Sequence, residues 1–199
     1  MTPRHIAVFS VIAALAAVSG YFFGQWLARS QHAELHAFTL LPAPRELPPV
    51  VLDLGGSRGS LAAPDGRMTL VFFGFSHCPD VCPTTLALLA RSVAMLPLAQ
   101  RPRVLFVSVD PERDAQPKAG EFARWFAPEF VGATTAELAA LAAALGAPYL
   151  RNPTADGYSM DHSGALFLLD AQGRFAAVAT GPHDAAALAA DLAALADAR

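Results

Sequence analysis

Charge is scarce in this chain. Only 16% of its 199 residues are charged, against 54% hydrophobic, the reverse of the balance that keeps a polypeptide unfolded. A formal net charge of −3 argues against nucleic acid as a partner, because phosphate neutralisation needs a basic face. Cysteine is rarer still. Cys78 and Cys82 are the only two, too few for a disulfide-dense scaffold or a four-cysteine zinc module. Lysine occurs once, at Lys118, with arginine supplying the remaining basic charge; this is a compositional bias with no functional reading. The stretch GGSRGS (Gly55–Ser60) lacks the Gly-Lys-Ser/Thr ending of a phosphate loop. No internal repeat is present. The length suits one domain plus an appendage.

What is abundant comes first in the chain. Ile6 to Leu27 is uncharged and almost wholly apolar. As a helix it would span about 33 Å at about 1.5 Å per residue, enough for a bilayer core of about 30 Å. Tyr21 and Trp26 lie toward one end, where aromatic rings favour the membrane interface. The run is read as an uncleaved anchor in preference to a signal peptide with a core at Ile6–Val18, because it continues through Phe22 and Phe23. No cysteine near its end allows a lipid anchor. Either reading exports the rest of the chain, with the amino terminus inside. Residues 1–28 are therefore assigned to the anchor and 29–48 to a tether, where Pro42, Pro44 and Pro48, with Pro49 at its boundary, favour an extended spacer. His32 and His36 sit four apart in the tether; that spacing suits a metal on a helix, but exposed histidines usually hold nothing.

Residues 49–199 read as one α/β domain. Val50–Leu54 is a short strand candidate. Met68–Phe75 (MTLVFFGF) and Arg103–Val109 (RVLFVSV) are continuous apolar runs, as strands buried on both faces are. Between them Leu86, Leu89, Val93 and Leu96 form the stripe of a helix over Pro83–Leu96. Further helices are expected over Pro117–Phe126 and Thr134–Leu145, the latter capped by Thr134 or Thr135 and stopped by Gly146. Ala165–Leu169 and Arg174–Ala179, joined by four residues, read as an antiparallel hairpin. Asp184–Ala196 is the last helix. Buried strands joined through helices run parallel, so a sheet with helices on both faces is expected.

The cysteines lie in FFGFSHCPDVCPTTL (Phe72–Leu86), between the first buried strand and the first helix. Reactive groups in such sheets gather beyond the carboxyl ends of the strands. A helix start offers free N–H groups and partial positive charge, which favours thiolate. Three readings compete: a structural disulfide, which would close almost no loop and so gain little; a redox pair, since cysteines at a helix start are the thioredoxin arrangement, though spaced C-x-x-C there; and a metal site. A third ligand is available in Asp161-His162-Ser163-Gly164. In a thioredoxin-like sheet this loop faces the cysteine loop, and here it presents His162. Two thiolates and an imidazole are a soft set that favours copper. Zinc would want a fourth ligand, for which Asp161 is the candidate. His77 should point elsewhere, and His183 reads as a residue of the cap region or a solvated one. Asp80 is open between tuning the site, meeting a partner and capping the helix.

Three segments together resemble the Sco/SenC family of thioredoxin-like copper proteins: FFGFSHCPDVCPTTL, VSVDPERD (Val107–Asp114) and MDHSGALFLLD (Met160–Asp170). They stand in the family's order behind a single apolar run. C-P-D-V-C-P with a downstream D-H-S is a specific combination. The resemblance implies a thioredoxin-like central sheet flanked by helices, preceded by one transmembrane helix. It implies that Cys78, Cys82 and His162 bind one copper ion, as Cu(I) or Cu(II). It further implies a metallochaperone for the dinuclear copper A site of cytochrome c oxidase, anchored in the inner membrane with its domain in the periplasm. Its partners would be the oxidase subunit carrying that site, with other periplasmic copper chaperones or thiol reductants. The alternative is a thiol–disulfide oxidoreductase working through Cys78 and Cys82 that keeps the recipient's cysteines reduced; otherwise the protein is a carrier and not an enzyme. Asp110, Arg113 and Asp114 are expected to fix a loop near the site, or to be an ordinary surface ion-pair cluster. Ala115, where a Thr is common, and the Gly- and Ala-rich segment Val50–Met68 depart from the family pattern in ways that bear on partner docking.

Overall fold

The computed structural model describes residues 17–21, 34–155 and 157–198. Residues 17–21 are helical; the rest of the run from Ile6 to Leu27 lies outside the described residues, as does His32. No helix among the described residues is long and apolar enough to cross a membrane.

The folded unit spans Leu35–Asp197 and so begins inside the expected tether. The N–H groups of His36, Ala37 and Phe38 all donate to the carboxylate of buried Asp191, at 2.8–3.1 Å. His36 is therefore not on a helix, and its spacing from His32 carries no helical meaning. Thr39–Arg45 follows as strand β1, the outermost of the main sheet. Pro42 and Pro44 do forbid a helix there, but they do not forbid an edge strand, where a missing N–H is tolerated. The ladder of β1 is irregular between Leu40 and Arg45, the stretch that holds both prolines.

Leu52–Asp53 (β2) and Arg58–Gly59 (β3) make a small hairpin where one longer strand was expected. Thr69–Gly74 (β4) and Arg103–Ser108 (β5) are buried at every position and pair parallel, Thr69 beside Arg103 through Gly74 beside Ser108. Helix α1 (Val81–Ala94) connects them and buries Cys82, Leu86, Leu89 and Val93. Helix α2 (Lys118–Phe126) leads to a third parallel strand, β6 (Val131–Ala133), too short to show as a sequence pattern. Helix α3 (Leu138–Leu145) ends at Gly146, whose φ of +70° is the left-handed geometry that glycine adopts without penalty. Its start corrects the expectation. Thr134 pairs its backbone with Asp53, and the Thr135 hydroxyl serves Val51 and Glu137, so neither threonine caps α3.

The chain then makes an excursion that the sequence pattern did not reveal. Tyr149–Thr154 (β7) and Gly157–His162 (β8) form a separate two-stranded hairpin. It returns to the sheet as β9 (Leu166–Leu169) and β10 (Phe175–Ala179), the expected antiparallel pair. Helix α4 (Ala185–Asp197) closes the unit, its start capped by the Asp184 carboxylate, which accepts from the Ala187 N–H at 2.8 Å. The sheet order is β1-β10-β9-β4-β5-β6. Because β9 runs antiparallel to β4, with Leu166 beside Phe72, the β8–β9 connection falls at the same end of the sheet as the segment following β4. That crossing of chain directions brings the two distant parts of the site together.

Candidate metal centre

Cys78 and Cys82 leave the carboxyl end of β4 and enter α1. Cys78 precedes the helix, whose N-cap position is Asp80, and Cys82 lies in its first turn. The first N–H groups of a helix lack partners within it. Here the Cys82 N–H points at Cys78 Sγ, 3.4 Å away, so the Cys78 sulfur takes one of these free donors. Cys78 is half-buried and Cys82 fully buried; both are free thiols.

Gly74 makes room for the buried sulfur. A Cβ at that position would lie 2.8 Å from Cys82 Sγ and 2.8 Å from the Phe106 ring, closer than packed atoms approach. The glycine in the F-F-G-F run was the available sequence signal for this role, and sequence reasoning passed over it.

His162 is the last residue of β8, paired with Tyr149, rather than part of a loop. Its ring sits edge-on to Phe72 and Phe75, with centroids 5.9 Å from each. Nδ1 lies 3.0 Å from the Ser163 carbonyl. A carbonyl only accepts, so Nδ1 carries the proton and donates it, leaving the Nε2 lone pair free. Nε2 lies 3.1 Å from Cys82 Sγ, and the ligand atoms of Cys78, Cys82 and His162 all fall within 4.8 Å of one another. A ring nitrogen fixed by a carbonyl behind it is how metal-binding histidines are oriented.

Burial governs both protonation states. Desolvation raises the Cys82 thiol above its ordinary value, and the nearby Cys78 and Asp114 push it the same way. The expectation that the helix start favours thiolate therefore fails at Cys82, because the helix's partial charge is outweighed by removal from water. Desolvation also lowers the His162 pKa and keeps the imidazole neutral, against smaller opposing effects of the Ser163 carbonyl and Asp161. The metal-free pair is thus a thiol donating to a neutral imidazole. A soft cation can replace that proton and bind both atoms.

The other residues singled out divide cleanly. Asp161 is exposed and accepts from Asn152 Nδ2 at 2.6 Å; among the described residues the metal-ligand cluster holds three members and excludes it, which removes the fourth zinc ligand. His77 turns away, toward Ser76 Oγ and Lys118 Nζ, each 3.2 Å off. His183 does lie in the cap region, just ahead of Asp184, and is half-buried. Its Nε2 meets the Gly164 carbonyl at 2.8 Å, bracing the segment after His162. Asp80 stands at the N-cap position without a side-chain capping bond and takes the Thr84 hydroxyl at 3.3 Å. Asp114 is wholly buried and accepts from the Ser76 N–H at 2.8 Å, the Ser108 hydroxyl at 2.7 Å and the Ser76 hydroxyl. It ties the cysteine segment to β5. Asp110 and Arg113 face the hairpin instead, and sequence reading missed their partner Tyr158.

A sheet of this order, with two cysteines at the first helix and a histidine opposite, defines a thioredoxin-like protein whose site can hold a metal ion. The sequence profile of the SCO1/SenC family matches residues 51–197, and the chain belongs to that family. It is 34% identical over 140 residues to a Stutzerimonas stutzeri protein provisionally named as copper-binding, covering 67% of this chain and 69% of that one. The solution structure of apo Sco1 from Thermus thermophilus superposes with a TM-score of 0.71 at 34% identity, covering 83% of this chain and 99% of that one. ScoI of Bradyrhizobium japonicum, a structure with copper bound, superposes with a TM-score of 0.62 at 33% identity, over 73% of this chain and 96% of that one. The chain spans only 37–46% of the mitochondrial relatives it matches.

Proposed function

We propose that the protein carries one copper ion on Cys78, Cys82 and His162 and delivers it during assembly of cytochrome c oxidase, to the dinuclear copper A site. The observation that carries this reading is the convergence of two sulfurs and one fixed imidazole nitrogen within 4.8 Å, in a family with copper-bound members. Two sulfurs and a nitrogen suit Cu(I) without a further protein ligand. Cys78, half-buried at the edge of the site, is where a recipient's ligand gains access, so the ion passes by exchange of one ligand at a time. The run Ile6–Leu27 supports a membrane anchor with the domain on the periplasmic side.

A second reading, reduction of a partner's disulfide, has one observation in its favour: the two free thiols lie four residues apart within 4.8 Å. In it, Cys78 attacks a disulfide sulfur of the partner, Cys82 then attacks Cys78, and the partner leaves with two thiols as the Cys78–Cys82 disulfide forms. The raised pKa of Cys82 opposes its thiolate and slows the second step.

Anaerobic Cu(I) titration of the reduced chain separates the two readings. One tightly bound equivalent is expected, weakened in each of Cys78→Ser, Cys82→Ser and His162→Ala. Full copper affinity in His162→Ala, with disulfide reduction as the stronger activity, would overturn the carrier reading.

A further inference from the structure

The hairpin bearing His162 lies outside the main sheet and pairs only with itself. Six of its twelve strand residues are exposed and five half-buried, and Met160 alone is buried. An isolated two-stranded hairpin is marginal in water, so something else must hold this one at the site.

The segment after β5 supplies the hold. Arg113 donates through Nε to Asp110 and through Nη1 to the Tyr158 carbonyl at 3.0 Å. The Tyr158 hydroxyl donates back to Asp110 Oδ1 at 2.8 Å. The guanidinium carbons of Arg113 and Arg151 lie 3.7 and 3.5 Å from the Tyr158 ring centre. Two guanidinium groups cannot share one face at those distances, so the ring is clasped between them. Asp110 is buried, and charge-assisted bonds shielded from water are the strong kind. Tyr158 and His162 stand four apart on β8 and share a face. Arg113 also lies 5.7 Å from the Phe75 ring, whose centroid is 5.9 Å from that of His162.

We propose that Asp110, Arg113 and Tyr158 form a latch that holds the β7–β8 hairpin down, and that they act as positioning residues setting how firmly His162 retains the ion. The inference rests on the copper reading above. Closed, the latch keeps Nε2 at the sulfurs. Open, it withdraws the nitrogen and leaves a two-sulfur site that gives up its cargo more easily. None of the three touches the metal. Their effect passes wholly through His162.

The test uses the 199-residue chain and two measurements. Arg113→Lys keeps the charge but loses the planar fork. In the metal-free protein it should speed amide exchange across residues 157–162 at least about tenfold while β4 and β5 keep their protection. Cu(I) affinity, read by competition with a chelator, should fall about 10- to 100-fold, as when the support of a metal ligand is removed. Tyr158→Phe, which removes one hydroxyl and keeps the ring, should shift both measurements the same way by less, and serves if Arg113→Lys does not fold. In a His162→Ala background either substitution should change affinity little, because the ligand it positions is gone. Unchanged exchange and affinity in both variants would overturn the latch. So would losses that simply add to that of His162→Ala. If His162→Ala alone left affinity unchanged, the copper reading would fall instead, while amide exchange would still report on the latch.

Discussion

The two halves of the site are built differently. Cys78 and Cys82 rise from the most buried part of the molecule, where β4 is enclosed on both faces and α1 packs Leu86, Leu89 and Val93 beneath the thiols. His162 arrives on an exposed hairpin held by side chains from a neighbouring segment. Cys82 is part of the core and can move only if the core moves, whereas Cys78 stands half-buried in the turn ahead of α1. The imidazole side is conditional on a few polar contacts. Under the carrier reading, such inequality lets the imidazole be released without unfolding the protein.

The largest expected break is on the sulfur side. Phe106 is wholly buried under Gly74, packed against Phe72 and Phe122. Phe106→Ala should lower unfolding free energy by about 3–5 kcal/mol, measured by denaturant titration. Gly74→Ala comes next. The added methyl must displace Cys82 Sγ or the Phe106 ring, which should cost about 1–3 kcal/mol, and Cu(I) competition should show affinity reduced in the fraction that stays folded. If Gly74→Ala left both unchanged, the sulfur side would be softer than described.

The gentlest test uses pH and separates the halves. The His162 pKa is lowered below its ordinary 6.5 by burial. The unfolded chain therefore binds the proton more readily, and stability of the metal-free protein falls as pH drops below about 6.5. The Cys82 pKa is raised above its ordinary 9.0. The unfolded chain loses that proton first, so stability falls as pH rises above about 9. Between these limits the two groups contribute a plateau. His162→Ala should flatten the acid limb and Cys82→Ser the alkaline one; a single variant that flattened both would mean the halves are not independent.

The same contrast explains what the sequence disclosed. β4 and β5 were legible because strands buried on both faces must be continuously apolar. The stripe of α1 and the C-P-D-V-C-P motif placed both sulfurs, and D-H-S marked the imidazole that meets them. The hairpin carrying that imidazole was invisible. Its strands read Y-L-R-N-P-T and G-Y-S-M-D-H; only the second alternates, with Tyr158 and Met160 turned toward the core, too short a pattern beside an unpatterned partner. β1 was hidden by its prolines, which signal a spacer as readily as an edge. Tyr158 could not be tied to Arg113 from sequence because 45 residues and four elements, α2, β6, α3 and β7, separate them. Burial of Cys82 reversed the expected direction of its pKa for a similar reason: the helix start is a local feature, whereas the depth of the sulfur depends on Gly74 and Phe106, which meet only in the folded sheet.

The clasp between Asp191 and the N–H groups of His36, Ala37 and Phe38 lies immediately ahead of β1. Force travelling inward along the backbone from the amino-terminal direction therefore reaches a buried carboxylate on α4 before it can peel the outermost strand from β10. α4 in turn packs against α1, the helix that holds Cys82, so one carboxylate fastens the first residues of the unit to the layer beneath the site.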